Sequence, residues 1–153
     1  MLVTLLGLAV LGCWTSLLPS PVSASAGAWS IEVSEFRDGP NEYSTMSRRY
    51  LPDEGTRFLW AVVSLSNTTA QKRRFNWDRC DLDDSGDAYL PGLVLDGMRP
   101  GALVDIVEPR QQLERVLIFS FPEEKWPTRL KCGDVLLPLE LSLPGSVATA
   151  EAR

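Results

Sequence analysis

The chain has 153 residues, 15 Lys and Arg against 20 Asp and Glu for a formal charge of −5, and no histidine. With 44% apolar and 23% charged residues it has a globular composition, not a disordered one. The acidic balance argues against nucleic acid as a partner. The missing histidine removes Ser-His-Asp and Cys-His dyads, HExxH zinc sites and the ordinary proton shuttle.

Residues 1–26 carry no charged side chain. An apolar run from Leu2 to Leu18 is followed by Pro19, Pro21 and Ala24-Ser25-Ala26. That is the order of a secretory signal: apolar core, helix breaker, small residues for the peptidase. It predicts a signal peptide over 1–26 with cleavage after Ala26, or after the neighbouring Ala24, although no Lys or Arg precedes the core. Two alternatives stay open. Val10-Leu11-Gly12-Cys13 is like a bacterial lipobox, which would acylate Cys13 and make it the mature N-terminus, with Leu11 larger than usual at its position. A retained anchor is the other, but the Leu2–Leu18 run is marginal for a hydrocarbon core of about 30 Å. The expected location is secreted or periplasmic, or alternatively a membrane-anchored lipoprotein. Membrane contact is expected only through an uncleaved or lipidated N-terminus.

With Cys13 in the leader, Cys80 and Cys132 remain. An even count outside the cytoplasm predicts one disulfide, the alternative being two buried thiols. Closing so long a loop stabilises by about 4 kcal/mol in the chain-entropy model. The two are too far apart in sequence for a CxxC redox pair.

Beyond the leader, the turn signals are dense, from Asp38-Gly39-Pro40-Asn41 to Gly133-Asp134, with short runs rich in Val, Ile, Leu, Phe and Trp between them. This predicts an all-β domain over 27–144, an antiparallel sandwich of about seven to eight strands, and a flexible tail over 145–153. Trp29 to Phe36 alternates and reads as an edge strand with one buried face. Phe58 to Leu65 is apolar on both faces, as a central strand should be. Arg73 to Leu82 reads as one strand and Tyr89 to Leu95 as a weaker extended segment. Ala102 to Val107 and Gln112 to Phe121 read as a pair joined by Glu108-Pro109-Arg110. Arg129 to Cys132 and Val135 to Leu143 close the domain, with Pro138 marking an edge or bulge.

The acidic stretch Asp81-Leu82-Asp83-Asp84-Ser85-Gly86-Asp87 has two readings. As a calcium loop, Asp81, Asp83 and Ser85 take ligand positions one, three and five, with Asp87 nearby. The twelfth position, however, is Gly92 where a bidentate Glu is required. As a tight β-turn, Asp and Ser cap their own backbone and Gly86 supplies a positive φ. The turn is the favoured reading, and no metal or other cofactor is expected. Lys72-Arg73-Arg74 reads as a charged guard on a strand edge, with an anionic-ligand patch as the alternative; Arg48-Arg49 is the other basic cluster. Alternation puts Arg74 and Asn76 on the face opposite Phe75 and Trp77, which rules out a stacking surface for single-stranded nucleic acid. Trp60 and Trp77 read as core. Trp126, between Lys125 and Pro127, reads as a partly exposed turn residue and a candidate carbohydrate or partner contact. Asn67-Thr68-Thr69 is a glycosylation sequon. Glu32, Glu35, Glu114, Glu123 and Glu124 are the carboxylates a glycoside hydrolase would need in a pair, but nothing in the sequence pairs them. No catalytic residue is assigned.

The block Tyr50 to Asn67, in which Gly55-Thr56-Arg57-Phe58 leads into a buried strand ending in Asn, resembles a large bacterial family. These are exported immunoglobulin-like domains of unknown function, related to small secreted mycobacterial immunogenic proteins. Cys80 to Tyr89, Arg99-Pro100-Gly101 and Phe119-Ser120-Phe121-Pro122 are further matches, over roughly residues 28–143. The resemblance implies an immunoglobulin-like sandwich, export as a secreted protein or lipoprotein, and a binding or structural role without catalytic residues. Against the family pattern, Ala102 to Arg110 is an added segment. The expected function is a non-enzymatic interaction or accessory module of the cell envelope or extracellular space, with an unknown protein or envelope component as partner. The alternative is a calcium-assisted adhesion or carbohydrate-binding module.

Overall fold

A computed structural model describes residues 16–84 and 86–143. Fourteen strands follow in chain order. They are β1 Val22–Ala26, β2 Trp29–Asp38, β3 Tyr43–Ser44, β4 Arg49–Tyr50, β5 Thr56–Asn67, β6 Arg73–Asn76 and β7 Cys80–Asp83. The remainder are β8 Ala88–Tyr89, β9 Leu93–Asp96, β10 Arg99–Pro100, β11 Val104–Val107, β12 Gln112–Pro122, β13 Arg129–Cys132 and β14 Val135–Pro138. A six-stranded sheet in the order β1-β2-β5-β12-β9-β10 faces a four-stranded sheet β14-β13-β7-β8, and every pairing is antiparallel. The strands β2-β5-β12-β9 against β14-β13-β7 reproduce the A-B-E-D and G-F-C sheets of an immunoglobulin-like sandwich, with β8 beside C. The expected fold class is the one observed.

The inward residues of β2, β5 and β12 build the core. Ile31, Val33, Phe36, Leu59, Val63, Leu65, Leu117, Phe119 and Phe121 pack with Trp77, Leu82, Leu130 and Leu137. A second, smaller cluster lies on the outer face of the larger sheet, where Phe58, Trp60, Leu95 and Ile118 are covered by Tyr43 and Tyr50 of the β3–β4 hairpin. That hairpin explains why the Phe58–Leu65 run is apolar on both sides. The Cys80–Cys132 disulfide joins directly paired residues of β7 and β13. It therefore staples neighbouring strands of one sheet, whereas the antibody disulfide crosses between sheets.

The domain boundary expected after Ala26 is corrected. β1 pairs with β2 from Val22↔Val33 to Ala26↔Trp29, and Gly27 turns the hairpin at φ 60°, a left-handed conformation that favours glycine. Upstream, the Leu17 N–H donates to the Phe36 carbonyl at 2.7 Å and the Ser142 N–H donates to the Leu17 carbonyl at 2.7 Å. Leu18 is buried in the core. Residues 16–26 thus belong to the domain, while Cys13 and residues 144–153, the expected tail included, lie outside the described residues.

Four local expectations also change. β2 is not an edge, because β1 covers it; a bulge between Val33 and Glu35 accounts for the broken alternation. β11 pairs with β6 rather than β12. The Arg73–Leu82 strand is broken by a 3₁₀ turn at Trp77–Arg79, capped by the Asn76 side chain accepting from the Asp78 N–H at 3.0 Å. Gly86 is not at positive φ.

Candidate functional site

The end of the sandwich where the described chain begins also carries the loop after β2, the loop before β5, the β7–β8 turn and the β12–β13 loop. β5 begins at Thr56 opposite Pro122, and the Thr128 N–H donates to the Asp83 carbonyl. The organising side chain is Arg57, 6% exposed. Its guanidinium donates to the Pro122 carbonyl and, at 2.9 Å, to the Lys125 carbonyl, and pairs with Asp38 at 3.3 Å. It also lies 4.2 Å from the ring centroid of Trp126. A desolvated cation–π contact of this kind is worth about 2 kcal/mol. Arg57 thus fixes both the path of the β12–β13 loop and the position of the half-buried Trp126.

Beside Trp126 the acidic turn closes on itself. The Asp84 carboxylate accepts from the Asp87 N–H at 2.9 Å and the Gly86 N–H at 3.2 Å, and pairs with the Lys125 ammonium at 3.1 Å. These interactions, the Asp87 N–H first and then Lys125, hold the Asp84 carboxyl below the usual range; desolvation opposes them. Asp84 in turn raises the Lys125 ammonium above its ordinary value. Asp84, Gly86, Asp87, Lys125 and Trp126 line a shallow, open depression of about 380 Å³.

The structure does not assemble the calcium candidates. Asp83 is held by Arg129, whose Nε donates at 2.8 Å. Asp87 lies 3.6 Å from the Lys125 ammonium, and burial raises the carboxyl of Asp81. Ser85 lies outside the described residues. Among the described residues no three Cys, Asp or Glu side chains converge as a metal site. The tight-turn reading accounts for Asp84, whose carboxylate accepts from the backbone N–H groups two and three residues on.

Exposed carboxylates crowd this end: Asp53, Glu54, Asp87, Glu123, Glu124 and Glu140. The opposite end is different. Lys72, Arg73, Arg79 and Arg110 are exposed there, and the connections are held by Asn67, which is 1% exposed. Its amide donates to the carbonyls of Gln71 at 2.8 Å and Val107 at 3.0 Å, and its oxygen accepts from the Thr69 N–H and hydroxyl. The sequon is therefore a structural clasp, with its amide nitrogen already used. Lys72 pairs with Glu108, and Arg73 donates to Thr69.

Of the other candidates, Glu32 and Glu114 flank Ser64 in one cross-strand row on the solvent-facing side of the larger sheet. Glu35 pairs with Arg37, and Glu123 and Glu124 follow β12 at the acidic end. None of these lines the depression beside Trp126. Arg49 of the Arg48-Arg49 cluster is paired with Glu42.

No family model matches the chain, and no curated protein does. Among solved structures it is similar to an uncharacterized β-sandwich protein from Clostridium difficile 630, at 10% identity over 71% of this chain and 79% of that one, with a TM-score of 0.46.

Proposed function

We propose that this β-sandwich is an exported, non-enzymatic binding module of the cell envelope, held at the membrane through its N-terminus and engaging a protein or envelope component through its loops. The observation that carries this reading is the continuity of residues 16–26 with the fold. Cleavage after Ala26 would remove β1, whose five residues pair with β2, together with buried Leu18. Processing at Cys13, within the apolar run, would leave every described strand in place. The Cys80–Cys132 disulfide is compatible with an oxidising compartment. No helix among the described residues is long and apolar enough to cross a membrane; a lipid on Cys13 is the attachment this reading proposes.

Carbohydrate binding is the second reading, supported by Trp126 beside the carboxylates and ammonium of the open depression; its calcium-assisted form loses support because those carboxylates are already paired. The test of the main reading is expression of the full chain in a lipoprotein-processing bacterial host, followed by fractionation and intact mass spectrometry. The expected product sits in the membrane fraction, begins at a diacylglyceryl-modified Cys13 and retains residues 16–26. The Cys13→Ala variant is expected to lose that modification. A mature chain beginning at Gly27, or an unprocessed cytoplasmic one, would overturn the reading.

A further inference from the structure

Among the described residues the two larger sheets end in four edge strands, and three of them carry a device against pairing. β10 is Arg99–Pro100, β14 ends in Pro138, and β8 is two residues long with Pro91 just beyond it. β1 is the exception. Its five residues, Val22-Ser23-Ala24-Ser25-Ala26, contain no charge and no proline. Ser23 and Ser25 point to solvent, while Val22, Ala24 and Ala26 are half-buried. β1 packs beside β14, but among the described residues no main-chain hydrogen bond joins the two.

We infer that β1 is a pairing edge for a second copy of this chain, forming an isologous antiparallel dimer whose two larger sheets run together. The sequence is self-complementary in that arrangement. A two-fold axis through Ala24 sets Ala24 against Ala24, Ser23 against Ser25, and Val22 against Ala26. All are small or neutral pairs, and none brings like charges together. The Ser23 and Ser25 hydroxyls share the outer face on which Ser25 already donates to Ser30 at 2.9 Å. Charge selects the same geometry. β1 runs away from the end bearing Asp53, Glu54, Glu123 and Glu124, so an antiparallel partner sets its own Lys72, Arg73 and Arg110 toward that end. The acidic end of each copy then lies toward the other's mixed-charge end, where Lys72 is paired with Glu108, and away from its own counterpart.

The inference rests on the reading that residues 16–26 survive processing, so one preparation tests both. The full-length exported protein is extracted in mild detergent, its N-terminus is read by mass spectrometry, and its mass is measured by sedimentation velocity up to about 100 µM. A dimer retaining β1 is the expected result. A chain starting at Gly27 sinks the processing reading and this inference with it; a chain that retains β1 yet stays monomeric sinks the dimer alone. The double variant Ser23→Lys/Ser25→Lys places charges on solvent-facing positions, so it is expected to be monomeric with an unchanged melting temperature. Met46→Lys, on the fully exposed tip of the β3–β4 hairpin, is expected to remain dimeric. A dimer that survives the double lysine change, or dissociates equally with Met46→Lys, overturns the assignment to β1.

Discussion

At the end where the chain enters, the loops are held by ions. Arg57 spans Asp38, two carbonyls and the Trp126 ring, and Lys125 ties the acidic turn to the β12–β13 loop. At the opposite end buried neutral groups carry much of the work, beside an Asp105 carboxylate that pairs with Arg115 and accepts from the Trp77 indole N–H at 2.7 Å. Asn67 spans two carbonyls, and Trp29, Phe75 and Trp77 stack edge to face at 5.0 and 4.8 Å. The difference teaches that one sandwich can close its two ends by chemistries with different sensitivity to salt and pH. It also leaves the ionic end with half-buried Trp126 and the depression, and the other end with the Asn67 amide already paired.

The largest effect that can sharpen this contrast is expected from Trp77→Ala. Removing a fully buried indole costs about 3–5 kcal/mol, read by urea unfolding, and takes a donor from the Arg115-paired Asp105 carboxylate; most of the loss is packing and is expected to persist at high salt. Asn67→Ala comes next, at about 2–3 kcal/mol, because it strands buried groups that the amide now pairs; the loss is expected to be independent of salt. Arg57→Met is expected to cost about 2 kcal/mol and to shift tryptophan emission to longer wavelength as Trp126 loosens. If emission is unchanged, Arg57 does not position that ring.

The smallest effect is a pH dependence of the Asp84–Lys125 tie. A carboxyl held below its usual range contributes stability that is present above that range and lost as pH falls through the depressed value. An ammonium raised above its usual range contributes stability that is present below it and lost as pH rises through the raised value. The tie is therefore expected to hold between about pH 4 and pH 10 and to weaken outside that window. Lys125→Met should remove the high-pH loss assigned to Lys125, and 1 M salt should mimic much of the variant at neutral pH. If Lys125→Met changes neither the salt nor the pH dependence of melting, this end is not held by charge and the contrast fails.

Strands with strong patterns were legible in the sequence. The alternation from Trp29 to Val33 and the double-faced apolar run from Phe58 to Leu65 correspond to β2 and β5, and Pro138 does mark an edge. β1 was not legible as a strand, for a physical reason. The small residues Ala24-Ser25-Ala26 that suit a signal peptidase also suit a strand packed close beside the second sheet. Once β1 was assigned to a leader, β2 inevitably read as an edge. The Arg57–Trp126 contact joins residues far apart in the chain, and no local pattern announces a guanidinium that will be buried. For the acidic stretch, spacing alone could not reveal that Arg129 and Lys125 would take up the carboxylates. Trp126 was recognised as partly exposed because Lys125 and Pro127 bracket it.

The buried amide of Asn67 bears on where this chain can be made. An oligosaccharyltransferase acts on Asn-x-Thr while the chain is still extended. In a glycosylating secretory pathway, Asn67 would then carry a glycan before Gln71 and Val107 could compete for its nitrogen. A glycosylated amide at a position that is 1% exposed has no room to enter its native place, so modification and folding exclude one another on the same molecule. Yield in such a host would be set by the race between them, and Thr69→Ala, made to spare the chain from the transferase, would also delete a hydroxyl that Asn67 itself accepts from.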